Sequence, residues 1–236
     1  MRKILIAIDG PAGSGKSTTA KLVARRLGYV YIDTGAMYRA MTLKVLTSKV
    51  DPANEQGVTE LAKKTEISFV EGSDLRVMLD GADVTDAIRS EDVNGNVSLI
   101  SSYPDVREIM VAKQRAIGAG KGCVMDGRDI GTVVFPDAEL KFYMIADIME
   151  RAKRRQEELS DNGVELPIHQ VVKELKERDR KDSTRDNSPL KKADDAIELD
   201  TTKLTIEEQV EIVLNYARDI NVGSEGSVGK EEMQRK

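Results

Sequence analysis

Nine residues, Gly10 to Thr18, read GPAGSGKST and follow directly on the apolar run Lys3–Ile8 and Asp9. Gly10, Gly15, Lys16 and Ser17 fit the spacing G-x-x-x-x-G-K-[ST]. Beyond Lys16 the apolar positions Ala20, Leu22, Val23, Ala24 and Leu27 recur with a helical period until Gly28 stops the helix. The run ahead of the loop has the length and β-branched content of a strand covered on both faces. Strand, glycine loop and helix in that order commit the chain to an α/β fold built around a buried parallel strand.

The loop also predicts chemistry. Glycines let successive N–H groups converge into a nest, and the helix start adds its positive dipole end. Gly10, Pro11, Ala12, Gly13, Ser14, Gly15, Lys16, Ser17 and Thr18 would thus cradle the phosphates of a nucleoside triphosphate. Lys16 would reach the β- and γ-phosphates, with the Ser17 hydroxyl as a Mg²⁺ ligand.

The remaining segments extend the alternation. Tyr29–Asp33 reads as a second strand, and Thr34 and Gly35 lead into a helix. Asp51–Thr65 reads as a turn and a short helix. Residues 66–88 read as a small antiparallel insert, with strand-like Ile67–Val70, Leu75–Leu79 and Val84–Ile88 and a turn at Asp80-Gly81. A polar segment with Asn94, Gly95 and Asn96 follows, then a helix from Pro104 to about Ile117. Cys123–Asp126 and Leu140–Ala146 read as strands, Ile148–Leu159 and Ile168–Arg180 as helices, Ala196–Leu199 as a fifth strand and Thr205–Ile220 as a last helix. The expected architecture is three layers around a five-stranded parallel sheet, the P-loop NTPase fold, plus the insert and a short lid. Its single domain spans 1–220: core 1–35, 104–147 and 184–220, a middle region at about 36–103 and a lid at about 148–183. The Gly/Ser-rich and charged tail 221–236 is expected to be disordered.

A net charge of −5 argues against general nucleic-acid binding, yet positive charge is concentrated locally. Arg151, Lys153, Arg154 and Arg155 stand on one helix; Arg178, Arg180, Lys181 and Arg185 stand in RDRKDSTR; Arg128 follows the third strand. Arginine's fork binds phosphate oxygens bidentately, so these clusters beside a triphosphate site predict a second, phosphate-bearing substrate. Such an acceptor is already largely ionised at pH 7 and needs charge screening rather than a general base. The absence of a Ser-His-Asp set or a His–Cys metal pattern agrees, and the lone His169 has a polar, non-catalytic setting. The absence of N-K-x-D disfavours a GTPase. A related kinase for another acceptor, or a nucleotide-dependent switch that transfers nothing, remains open at this level. The one cysteine, Cys123, sits in an apolar strand and reads as packing. The N-terminal run is too short for a signal peptide and no stretch reaches membrane-span length, so the chain is expected in the cytoplasm.

Four stretches together carry a resemblance: IDGPAGSGKST, DTGAMYR at Asp33–Arg39, DGRDIGTVVFPDA at Asp126–Ala138, and KERDRKDSTR at Lys176–Arg185. In this order they resemble the bacterial cytidylate kinases, from about residue 2 to 220. The resemblance implies transfer of the ATP γ-phosphoryl to CMP or dCMP with Mg²⁺. It implies that Thr34 (often serine in the family) and Asp129 lie at the cytosine, Arg107 near the base, and Arg39 and Arg128 on the acceptor phosphate. Arg178 and Asp182 resemble ribose contacts, with Arg185 between base and phosphate, and Arg151, Arg154 and Arg155 the lid arginines. It also makes the insert part of the monophosphate-binding region. The expected partners are small-molecule nucleotides, with no nucleic acid and no membrane, acting on a monomer.

Overall fold

An apolar strand with almost no polar face must be covered on both sides, and β1 (Leu5–Asp9) is buried at all five positions. The computed structural model describes residues 2–70, 75–161 and 163–232. After β1 come α1 (Lys16–Leu27), β2 (Val30–Asp33), α2 (Thr34–Thr47) and α3 (Glu55–Lys64). Three short strands follow, β3 (Ile67–Val70), β4 (Arg76–Leu79) and β5 (Ala82–Asp83), then α4 (Glu91–Ile100) and α5 (Pro104–Gly118). β6 (Cys123–Gly127), one wide helical turn at Ile130–Val134 and β7 (Leu140–Ile145) lead to α6 (Ile148–Asp161) and α7 (Ile168–Thr184). The last elements are β8 (Ile197–Asp200) and α8 (Ile206–Glu232).

The main sheet is parallel, five-stranded and ordered β2–β6–β1–β7–β8. Alternate residues of β1 feed two cores. Ile4, Ile6 and Ile8 pack with Val23, Phe142, Val210 and Leu214 beneath α1 and α8. Leu5 and Ala7 pack with Met37, Met41 and Met110 beneath α2 and α5. Each fully buried aliphatic or aromatic side chain there contributes about 1.5–3 kcal/mol. The register aligns the strand ends: Asp9 stands level with Gly127 and Tyr143, and Asp33 with Asp126. The loops after β1, β2 and β6 therefore leave the sheet side by side at its carboxyl edge, where open α/β sheets bind ligands. The hairpin α6–α7 caps that edge. Its small core of Ala152, Val171 and Leu175 packs onto Ala12 of the glycine loop.

Several local expectations change. The insert's third strand is only Ala82–Asp83, because the Asp83 carboxylate accepts from the Thr85 N–H (3.0 Å) and hydroxyl (2.7 Å) and turns the chain. Ala87–Arg89 is then a 3₁₀ turn rather than strand. The polar segment around Asn94-Gly95-Asn96 is helix α4, because Val93, Val97 and Ile100 fall on one buried face that outweighs poor local propensity. The basic run to Thr184 is all helical, so α7 extends beyond Arg180. The backbone of 221–232 continues α8, since a helix already nucleated adds a hydrogen bond for each residue fixed; residues 233–236 lie outside the described residues. Asp80-Gly81 does make the expected tight turn, with φ +48° and +83°. Cys123 is buried, and burial pushes its thiol up to about 11, as suits a packing residue.

Phe142 is 1% exposed and meets Tyr216 edge-to-face at 5.6 Å. Phe142→Ala is expected to lose about 3–5 kcal/mol of stability, read as a lower urea midpoint at unchanged m.

Candidate active site

Gly10 leaves β1 with φ +153°, and a Cβ there would stand 2.2 Å from the Met144 carbonyl oxygen. Gly15, the N-cap of α1, has φ +88°, and a Cβ would come within 2.9 Å of Gln209 Oε1. Both positions need glycine because the loop is pressed against β7 on one side and α8 on the other. Below the loop, Thr201 Oγ1 donates to the Ser14 carbonyl at 2.9 Å, and Thr19 Oγ1 to Gln209 Oε1 at 2.8 Å. The nest that the spacing predicts is thus clamped from both sides.

Lys16 opens α1 almost fully buried, its Nζ donating to the Pro11 carbonyl at 3.4 Å. Burial, and then the guanidinium of Arg128, hold its ammonium well below the usual lysine range. Ser17 donates its hydroxyl to Asp126 Oδ2 at 2.7 Å, and Tyr31 donates to Asp126 Oδ1 at 2.9 Å. Burial, and then Asp33, raise the Asp126 carboxyl above the ordinary range. A hydroxyl and a carboxylate side by side are hard-oxygen donors of the kind Mg²⁺ takes. Among the described residues no three His, Cys, Asp or Glu side chains gather into a cage.

Opposite the loop the arginines converge. Arg128, directly after β6, donates Nε to Asp182 Oδ2 on α7 at 2.7 Å. Arg178 lies one helical turn before Asp182. Burial, and then Arg128, push its guanidinium down to about 10, with Arg39 and Arg155 adding to the repulsion. Arg128 and Arg178 also depress Lys16. Lys16, Arg39, Arg128, Arg155 and Arg178 therefore share one electrostatic field. Arg39 is held by Asp33 at 3.0 Å, and Asp33 also caps α2.

Asp129 forms a second station. Its Oδ2 pairs with Arg107, while Arg185 Nη2 stands 3.9 Å from Oδ1. Arg107 lies over the Tyr38 ring at 5.3 Å. Beside them a cleft of about 340 Å³ is lined by Ser98, Leu99, Ser101 and Ser102 at the end of α4 and by Asp182 and Arg185. Thr34 is buried and donates its hydroxyl to the Asp126 carbonyl at 2.8 Å, which leaves its lone pairs for a ligand.

The lid arginines divide. Arg151 braces the glycine loop to α7 through Ala12 O (3.1 Å) and Asp179 (2.7 Å). Arg154 bonds Thr201 O at 2.8 Å and Glu150 at 3.3 Å. Arg155 pairs with Glu158 at 2.9 Å and contributes to the field at Arg178. His169 is exposed on α7.

Sequence reasoning missed Asp9, Asp33, Asp126 and Thr201. Asp9 and Asp33 end strands β1 and β2 and Asp126 is the last residue but one of β6, and an acidic residue at the end of a buried strand was the signal available. Thr201 carried no local sign, because its partners lie far away in sequence.

Comparison with known proteins adds an independent observation. Residues 6–219 match the cytidylate kinase family. A cytidylate kinase of Caldanaerobacter subterraneus is 53% identical over 215 residues, covering 91% of this chain and 95% of its own. Those of Halalkalibacterium halodurans (49% over 220 residues, covering 93% and 99%) and Bacillus cereus (50% over 220, covering 93% and 98%) are similarly related.

The Arg107 and Asp129 side chains are only 3% and 6% exposed, so removing one charge strands the other. Asp129→Asn is expected to cost about 3–5 kcal/mol in urea unfolding, and replacing both residues by apolar ones of similar size recovers most of it.

Proposed function

This chain belongs to the cytidylate kinase family, and from that membership and the site's geometry we infer that it transfers the γ-phosphoryl of ATP to CMP or dCMP, giving ADP and CDP or dCDP. The observation that carries this reading is the row of cations at one sheet edge, Lys16, Arg39 held by Asp33 and Arg128 held by Asp182, next to the cleft that Asp182 and Arg185 line. One end of it suits a triphosphate and the other a nucleoside monophosphate.

The placement of these residues supports the following roles. Gly10 to Thr18 hold the donor phosphates, with Lys16 at the β- and γ-oxygens. Arg39 and Arg128 hold the acceptor phosphate, Arg185 stands between base and phosphate, and Arg178 and Asp182 hold the ribose. Asp129 Oδ1 accepts from the cytosine amino group, as acidic side chains do with cytosine N4; uracil presents an oxygen there and is repelled. Arg107 holds Asp129 in place. An acceptor phosphate oxygen attacks the γ-phosphorus as the bond to the β-phosphate oxygen breaks, and no base is required because that oxygen is already ionised. Ser17 and Asp126 would hold Mg²⁺, which when bound would neutralise charge on the phosphates. Arg154 and Arg155 stabilise the charge spread over the transferring group, and α6–α7 excludes water. Among the described residues no helix is long and apolar enough to cross a membrane. The enzyme is taken to work in the cytoplasm as a monomer, the reading that accompanies the family's small-molecule substrates.

ADP release from Mg-ATP against CMP, dCMP, UMP and AMP tests the reading: release is expected with CMP and dCMP and is weak with UMP. A switch or plain ATPase would release ADP independently of the acceptor, which would overturn it. Lys16→Ala should lower turnover by about 10³-fold with the fold intact. Arg185→Ala should raise KM for CMP by about 10–100-fold and leave that for ATP within about twofold, as expected for one charged hydrogen bond; an equal rise in both would contradict the assignment.

A further inference from the structure

The last residue of β1, Asp9, stands immediately before the glycine loop, yet its side chain turns away from that loop. It is 5% exposed, and its two oxygens accept the backbone N–H of Ile130 at 2.9 Å and of Gly131 at 2.8 Å. Those amides open the wide turn at Ile130–Val134, whose own later N–H groups, from Val133 and Val134, close on the Asp129 carbonyl. The first N–H groups of any helical turn have no partner within it, and a carboxylate is the group that satisfies two at once. Burial raises the Asp9 carboxyl to about 7, so the position holds an acid at an electrostatic cost.

The corner that Asp9 grips is the one from which the acceptor residues depart. Arg128 reaches out from it to Asp182, and Asp129 to Arg107 and Arg185. We propose that Asp9 is a positioning residue for acceptor recognition: by tying the 128–131 corner to the strand that feeds the glycine loop, it sets Arg128 and Asp129 relative to Lys16. Gly131 belongs to the same clamp through its N–H, which donates to Asp9 Oδ2 at 2.8 Å. The inference rests on the kinase reading above and adds to it a residue that touches neither nucleotide.

Asp9→Asn preserves size, keeps one acceptor oxygen and aims an amino group at the second amide. In steady-state kinetics on the folded enzyme, KM for CMP is expected to rise by about tenfold or more while KM for ATP stays within about twofold, because a small misplacement of a binding group has large effects. The preference for CMP over UMP should fall with it. Asp9→Ser, a shorter side chain that can accept only one of the two N–H groups, should give the same signature, which serves if Asp9→Asn does not fold. Equal rises in both KM values, or a lower melting temperature with unchanged kinetics of the folded enzyme, would make Asp9 merely structural and overturn the proposal. A wild-type protein with no CMP-dependent ADP release would overturn the kinase reading and this inference together.

Discussion

Like charges repel, and this fold forces at least five cations, Lys16, Arg39, Arg128, Arg155 and Arg178, toward one edge of a buried sheet. Burial first, and then that repulsion, poorly screened out of water, hold Lys16 and Arg178 below their usual ranges. The cluster persists because carboxylates are distributed through it: Asp33 on Arg39, Asp182 on Arg128, Asp179 on Arg151 and Glu150 on Arg154. A phosphate chain among these groups adds the opposite charge where it is most needed. The energetics that make the site costly to assemble are therefore those that make it bind anions.

Recognition and catalysis are separated within a short distance. On the proposed reading Asp126 and Ser17 serve the donor side, and Arg128 and Asp129, just beyond the same strand end, serve the acceptor side. The donor cradle is backbone held by glycine conformation, which suits a phosphate common to all nucleotides. The acceptor station is instead a buried ion pair laid over an aromatic ring, Asp129–Arg107–Tyr38. Its directional acceptor suits discrimination between bases that differ by an amino group and an oxygen. The α6–α7 hairpin bridges the two, since Arg151 touches the glycine loop while Asp182, on the following helix, touches Arg128.

Elements whose burial is one-sided or complete were legible from pattern alone: β1, α1, β6 and β7 lie within a residue or two of where periodicity places them. The misreadings fall where tertiary contact outweighs local preference. Around Asn94-Gly95-Asn96 local propensity argues against helix, but Val93, Val97 and Ile100 gain more by burial than the backbone loses. At Val84–Ile88, β-branched residues suggested strand, but the side chain of Asp83 bends the chain first. In the lid, the three arginines take different partners, Ala12 for Arg151, Thr201 for Arg154 and Glu158 for Arg155.

The sequence by itself determined the strand–loop–helix that cradles phosphate, the parallel sheet behind it and the identity of the arginines, because glycine conformation and hydrophobic period are local properties. Which arginine meets which carboxylate was decided only in three dimensions. So was the clamp of Asp9 on a corner 121 residues away in the chain. Those pairings depend on the parallel register bringing the ends of β1, β2 and β6 to one edge, and a register exists only once distant strands have met.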